Sequence, residues 1–137
     1  MGSRENDELT EKIIGLAIEV HRSLGPGLLE SVYEECLCLE AKRANLTFKR
    51  QVPLAIMYKG LRPNCGYRLD LVFADRIIVE VKATEKLMPV HKAQLLTYMK
   101  LSSIPVGLLL NFHSPALKDS IRRLQLVPAS HCLTGSL

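Results

Sequence analysis

Two carboxylates and an ammonium fall close together in one short stretch of this chain. Gly66 to Ala83 reads GYRLDLVFADRIIVEVKA. Its alternating apolar runs, Tyr67-Leu69-Leu71-Phe73 and Ile77-Val79-Val81, flank Ala74-Asp75-Arg76, the pattern of two strands joined by a three-residue hairpin loop. With the turn centred on Asp75, residues equidistant from it face one another, which sets Asp70 opposite Glu80. Facing carboxylates would lie about 5 Å apart, where like charges destabilise a strand pair. Such a placement asks for one group to be protonated or for a cation to hold both. Lys82, two residues on and therefore on the same strand face, is one available cation. A bound divalent metal is the other.

Asp70, followed after nine residues by Glu80-Val81-Lys82, resembles the D-(x)n-[DE]-x-K signature of the PD-(D/E)xK superfamily of metal-dependent nucleases. Gly27-Leu28-Leu29-Glu30-Ser31-Val32-Tyr33 is similar to the G-x-x-E-x-x-Y (GxxExxY) motif that names a small prokaryotic family within it. Gln94-Leu95-Leu96-Thr97-Tyr98 is similar to the Q-x-x-x-Y helix of the branch that includes nuclease domains of recombination helicases. The resemblance runs from about Leu9 to about Leu126. One departure is that Arg68-Leu69, and no proline, precedes Asp70.

The resemblance implies a restriction-endonuclease-like αβββαβ core and a Mg²⁺ or Mn²⁺ cofactor. Asp70, Glu80, the carbonyl of Val81 and Glu30 would ligate the metal. Lys82 would position the attacking water, and Gln94 would brace the site or touch the scissile phosphate. Tyr33 and Tyr98 follow as substrate contacts, with Tyr33 packing against or bonding to the site. His91 could touch DNA or shuttle protons, and Arg122 and Arg123 could neutralise phosphates. Read without the resemblance, several of these have plainer roles. Glu30 suits the positive end of a helix dipole, Lys82 a strand tip, and Gln94 and His91 an exposed helix face. Glu34 and Glu35 read as solvated surface, and Gln51 as an edge-strand polar residue.

The chain's 137 residues suit one domain. A hydrophobic content of 47% with 23% charged residues describes a folded chain. No apolar run reaches the ~18 residues a membrane span needs, and no signal-peptide layout is present; a cytoplasmic protein without membrane contact is expected. The four cysteines, Cys36, Cys38, Cys65 and Cys132, lack C-x-x-C spacing and read as reduced structural thiols. The net charge of +4 is compatible with a polyanionic partner.

The elements that must position the site are three helices and at least four strands, an α/β fold with a central mixed sheet. Residues 1–8 read as a disordered lead or cloning remnant, 9–126 as the domain, and 127–137 as a loosely ordered tail. Leu9, Ile13, Leu16, Ala17, Val20 and Leu24 form a helical stripe capped by Thr10 or Asp7, ended by Gly25-Pro26-Gly27. A second helix, from about Leu29 to Ala44, would bury Leu29, Val32, Tyr33, Cys36, Leu37 and Leu39. Phe48 to Tyr58 reads as a strand. A helix starting at Pro89 would turn Ala93, Leu95, Leu96 and Met99 to the core. The nearly continuous apolar run Ile104 to Phe112 marks a strand buried on both faces, parallel to Ile77–Lys82 through a βα crossover. The two N-terminal helices should cover one side of the sheet and the Pro89 helix the other.

The function expected is metal-dependent hydrolysis of nucleic acid, DNA ahead of RNA, with a homodimer or partner protein supplying specificity. An alternative keeps the fold without catalysis, as a nucleic-acid-binding or protein-interaction module. Paired acids also suit retaining glycosidases, but no tryptophan and 5% aromatic residues leave no platform for a sugar ring.

Overall fold

Strands β2 (Gly66–Phe73) and β3 (Ile77–Lys82) form the hairpin in the register set by a turn about Asp75: Leu71 faces Val79, Val72 faces Ile78 and Phe73 faces Ile77. Ala74 and Asp75 take left-handed φ values of 53° and 55°, the turn geometry whose twist matches that of the flanking strands. The computed structural model describes residues 2–64 and 66–127. Before the hairpin come α1 (Gly2–Leu24), α2 (Glu30–Arg43) and β1 (Phe48–Ala55). After it come α3 (Pro89–Ser102), β4 (Val106–Asn111), one turn of 3-10 helix (Leu117–Ser120) and β5 (Ile121–Gln125).

The sheet order is β1-β2-β3-β4-β5. Only β3 and β4 run parallel, from Ile77 beside Val106 to Lys82 beside Asn111, the product of the α3 crossover. Every residue of β4 is buried, as its unbroken apolar run requires. On one face Ile13, Ala17, Leu37 and Ala41 of α1 and α2 pack against Phe73, Val79 and Leu110. On the other, Leu95 and Met99 of α3 meet Val72, Ile78 and Leu109. The expected α/β fold with its αβββαβ core is thus present, extended by a second N-terminal helix and a fifth strand.

Several local expectations need correction. Residues 2–8 are no disordered lead but the first turns of α1, held by Arg76 on Glu5 at 2.9 Å and Arg123 on Asp7 at 2.7 Å. Thr10 is therefore buried within the helix and caps nothing, and Asp7 is an ion-pair partner. The buried side of α2 is Tyr33, Glu34, Leu37, Cys38 and Ala41, while Leu29, Val32 and Leu39 are exposed. Leucine count misjudged the roll of this helix, which the preceding loop sets. Strand β1 stops at Ala55, and Tyr58 makes only an isolated bridge to Leu61. Ala93 faces outward on α3. Cys36 is half-buried and Cys38 buried, the latter's thiol pushed up by burial. Cys65, Cys132 and the tail beyond Val127 lie outside the described residues.

Packing of α3 on the sheet depends on Gly107 of β4, where an added Cβ would meet Met99 Sδ at 2.7 Å and Leu95 Cγ at 2.9 Å. Gly107→Ala should destabilise the protein by about 1–3 kcal/mol through overpacking. Gly15→Ala, in α1 with nothing within 4 Å of its added Cβ, should stabilise by about 0.5–1 kcal/mol. Urea unfolding of the two variants checks both signs.

Candidate active site

Beyond Leu71 and Val79 the β2–β3 ladder ends, although β2 stays paired with β1 as far as Gly66 and β3 with β4 as far as Lys82. The sheet therefore forks, and Asp70 and Glu80 stand on the two prongs at the point of divergence. Their side chains replace the missing ladder bonds. The Asp70 N–H donates to Glu80 Oε2 at 3.0 Å, and the Val81 N–H donates to Asp70 Oδ2 at 2.9 Å. Each acid thus satisfies backbone on the opposite strand that would otherwise be left unpaired.

Burial makes this arrangement electrostatically loaded. Glu80 is 5% exposed, and its carboxyl is pushed up to about 8, first by burial and then by the Asp70 charge, with Glu34 adding to both. Asp70 is also raised by burial, with Glu34 and Glu30 adding; the Val81 N–H and Lys82 pull it back. Lys82 acts similarly on Glu80. Among the described residues Lys82 makes no ion pair, so it moderates the two acids without neutralising either.

The loop before α2 aims a third carboxylate at the same place. Gly27 has φ 103°, which a residue with a side chain rarely adopts. The Tyr33 hydroxyl donates to the Gly25 carbonyl and accepts from the Leu28 N–H at 3.1 Å, while its ring stacks on Phe112 at 4.6 Å. Glu30, in the first turn of α2, accepts the Ala83 N–H on Oε2 at 3.1 Å, one residue past Lys82. Tyr33 itself is completely buried. The substrate contact expected of it is corrected: it holds the loop that delivers Glu30.

Glu34 was missed. It lies one helical turn beyond Glu30 and is 7% exposed, not solvated. Arg50 Nε donates to its Oε2 at 2.6 Å and Gln51 Nε2 at 3.0 Å, while Arg50 also holds Glu35 at 2.6 Å. Adjacent strand residues normally point to opposite faces. Arg50 and Gln51 reach one carboxylate because Gln51 has φ 53°, a costly conformation for such a residue. The kink also turns β1 over: Phe48 packs on the α1–α2 side and Val52 on the α3 side. Gln51 is the edge-strand polar residue expected, on the outer strand β1, and it lies between Arg50 opposite Leu71 and Val52 opposite Leu69, level with Asp70. A polar Arg-Gln pair ahead of the apolar strand residues was the available signal.

The α3 residues divide. Gln94 is exposed and Tyr98 is 9% exposed. Tyr98 lies against Tyr67 at 5.2 Å, and its hydroxyl is raised by burial and by the Glu80, Tyr67 and Asp70 charges. His91 Nδ1 accepts the Met88 N–H at 2.9 Å, a helix-capping bond. Arg122 and Arg123 are exposed on β5, an outer strand of the sheet. Arg123 is bound to Asp7, so the structure does not bring this pair to the fork.

The donor set suits a hard cation. Asp70 and Glu80 each commit one oxygen to a backbone N–H, and among the described residues Oδ1 and Oε1 accept no hydrogen bond. No three His, Cys, Asp or Glu side chains among the described residues converge into a ready-made cage, and Glu30 is hydrogen-bonded at Ala83. What stands ready is an acidic pair. Val81 contributes its amide to that pair, to Asp70.

A family model described as the PD-(D/E)XK nuclease superfamily matches residues 7–124. Neither the curated proteins nor the solved structures contain a match to this chain. No helix of the described residues is long and apolar enough to cross a membrane.

Glu80 gives a pH signature. Its folded-state value of about 8 lies above its ordinary 4.5, so between these the folded state holds the extra proton and stability falls as pH rises. The contribution is fully present below pH 4.5 and gone above about 8. Without divalent metal, urea unfolding should show a loss on the order of a few kcal/mol between pH 5 and pH 8.5. Glu80→Gln should flatten the profile.

Proposed function

The chain belongs to the PD-(D/E)XK nuclease superfamily, and from that footing we propose that it hydrolyses phosphodiester bonds of nucleic acid, DNA ahead of RNA, at the Asp70–Glu80 fork. Within the superfamily we assign it to the GxxExxY family, on the loop and helix that carry Gly27, Glu30 and Tyr33. The observation that carries the proposal is the pair of acids, Glu80 buried and Asp70 half-buried, that among the described residues each offer one oxygen without a hydrogen-bond partner, a charge arrangement that is unfavourable without a cation. Asp70 and Glu80 would hold Mg²⁺ or Mn²⁺, joined by Glu30 on leaving Ala83 and by the Val81 carbonyl. A divalent ion there supplies a bound water of lowered pKa and neutralises charge on the phosphoryl oxygens.

The chain's own groups do the rest. Lys82, on the strand face of Glu80, orients the nucleophilic water and offsets charge growing on the phosphorane-like transition state. Gln94, exposed on α3, steadies the substrate phosphate, and Tyr98 lines the approach. Glu34, fixed by Arg50 and Gln51, keeps α2 and therefore Glu30 at a set distance from Asp70. His91, through its free Nε2 edge, remains a candidate DNA contact. Arg122 and Arg123 are reserved for a distal stretch of substrate. A second copy or a partner protein supplies sequence specificity.

Asp70→Asn and Lys82→Ala proteins should give native circular dichroism yet lose Mn²⁺-dependent cleavage of DNA or RNA oligonucleotides by about 100-fold or more. Cleavage surviving both substitutions would reject the assignment. The melting temperature of the wild-type protein should rise in millimolar Mn²⁺ by mass action, and the rise should shrink in Asp70→Asn. A wild-type protein that neither melts higher nor cleaves would instead be a binding module on this fold.

A further inference from the structure

Tyr67 is an apolar ring left in the open where the fold did not require one. It is 52% exposed, three residues before Asp70 on β2, and it separates two hollows. The first, of about 450 Å³, has Arg62 and Arg68 in its walls. The second, of about 210 Å³, is formed with Gln94, Thr97 and Tyr98 of α3. The first hollow lies over the end of the β1–β2 ladder, with Leu54 opposite Tyr67 and Ala55 opposite Gly66, and is walled by Arg62, Pro63 and Asn64 of the connecting loop. There the backbones come so close that a Cβ on Gly66 would lie 2.8 Å from the Leu54 carbonyl oxygen.

This surface is continuous with the fork. The Tyr67 and Tyr98 rings are 5.2 Å apart at 44°, and Tyr98 packs in one cluster with Leu69, next to Asp70, and Ile78, two residues before Glu80 on β3. From the acids outward on the α3 side, the order is two carboxylates, a buried phenol and an exposed phenol, with the guanidiniums of Arg62 and Arg68 flanking the exposed ring; Arg68 also reaches the Gln51 carbonyl at 3.5 Å. An exposed phenol ring stacks well on a nucleobase of any identity. Guanidiniums pair with phosphate oxygens in a two-pronged fashion. A hollow of the first one's size is in the range that holds a small ligand. Only an unpaired base has a π-face free to stack; a duplex interior presents phosphates and groove edges.

We propose that this surface is the track of a single polynucleotide strand, with Tyr67 stacking on a base next to the scissile phosphate and Arg62 and Arg68 binding the flanking phosphates. The preferred substrate class is then single-stranded nucleic acid, or the single-stranded end of a duplex. This rests on the fork being the cleavage site.

The test is fluorescence anisotropy in Ca²⁺ with a labelled oligothymidylate and with a blunt duplex of equal length, paired with Mn²⁺-dependent cleavage of both. The wild-type protein should favour the single strand. Tyr67→Ala and Tyr67→Leu should each weaken single-strand binding by about 5- to 100-fold, as loss of one stacked base predicts, and leave duplex affinity unchanged. Tyr67→Phe should bind like wild type. Arg62→Ala and Arg68→Ala should each reduce the salt slope by about one. If the wild type cleaves but Tyr67→Leu binds the single strand equally well, or if the wild type prefers the duplex, the track is wrong and the cleavage site stands. If the wild type neither binds nor cleaves, both fall.

Discussion

Two like charges cannot be set side by side in a dry sheet unless something other than water satisfies them, and the centre of this molecule is built around that constraint. Asp70 and Glu80 each accept a backbone N–H from the opposite strand, so the ladder parts where they meet and the sheet opens on one side of β3 only. On its other side β3 stays zipped to β4 through Lys82. The split is local, and each prong stays paired to its outer neighbour. Burial and the Asp70 charge hold Glu80 at about 8, so near neutral pH the pair carries less than its full charge. Desolvation and hydrogen bonding oppose each other here, and the raised carboxyls record which of the two is larger.

The second device is mechanical. Gly27 permits a backbone angle closed to most residues, Tyr33 fastens the loop by its hydroxyl and the helix by its ring, and Glu30 falls in the turn between them. Spacing of glycine, acid and tyrosine is then explained by one turn of helix and one loop closure. The acid is aimed because the tyrosine is buried. The kink at Gln51 does comparable work from the opposite side, turning two neighbouring side chains onto Glu34 and fixing α2 against the sheet.

How much of this could be read in the chain follows from the range of the forces involved. Period-two alternation in Tyr67–Phe73 and Ile77–Val81 fixed the hairpin and its register, because a slip by one residue would reverse every side chain. Unbroken apolarity of Val106–Leu110 gave the buried parallel strand. Glu34 was hidden since its burial depends on Arg50 and Gln51, sixteen and seventeen residues away, and on a left-handed residue inside a strand that no alternation announces. Tyr33 was misplaced in role for a related reason: a motif tyrosine beside a motif acid looks like a site contact, and only Phe112 shows it to be a wall. The start of α1 was missed because its polar first turns are held by arginines far along the chain, not by an apolar stripe.

That last feature bears on the order in which the protein can finish folding. Glu5 is tied to Arg76 at the hairpin turn and Asp7 to Arg123 on the final strand, contacts that span 71 and 116 positions. Closing such long loops carries an entropic cost that must be met before the contacts form. The polar first turns of α1 can therefore be fastened only once the hairpin turn and β5 are both in place.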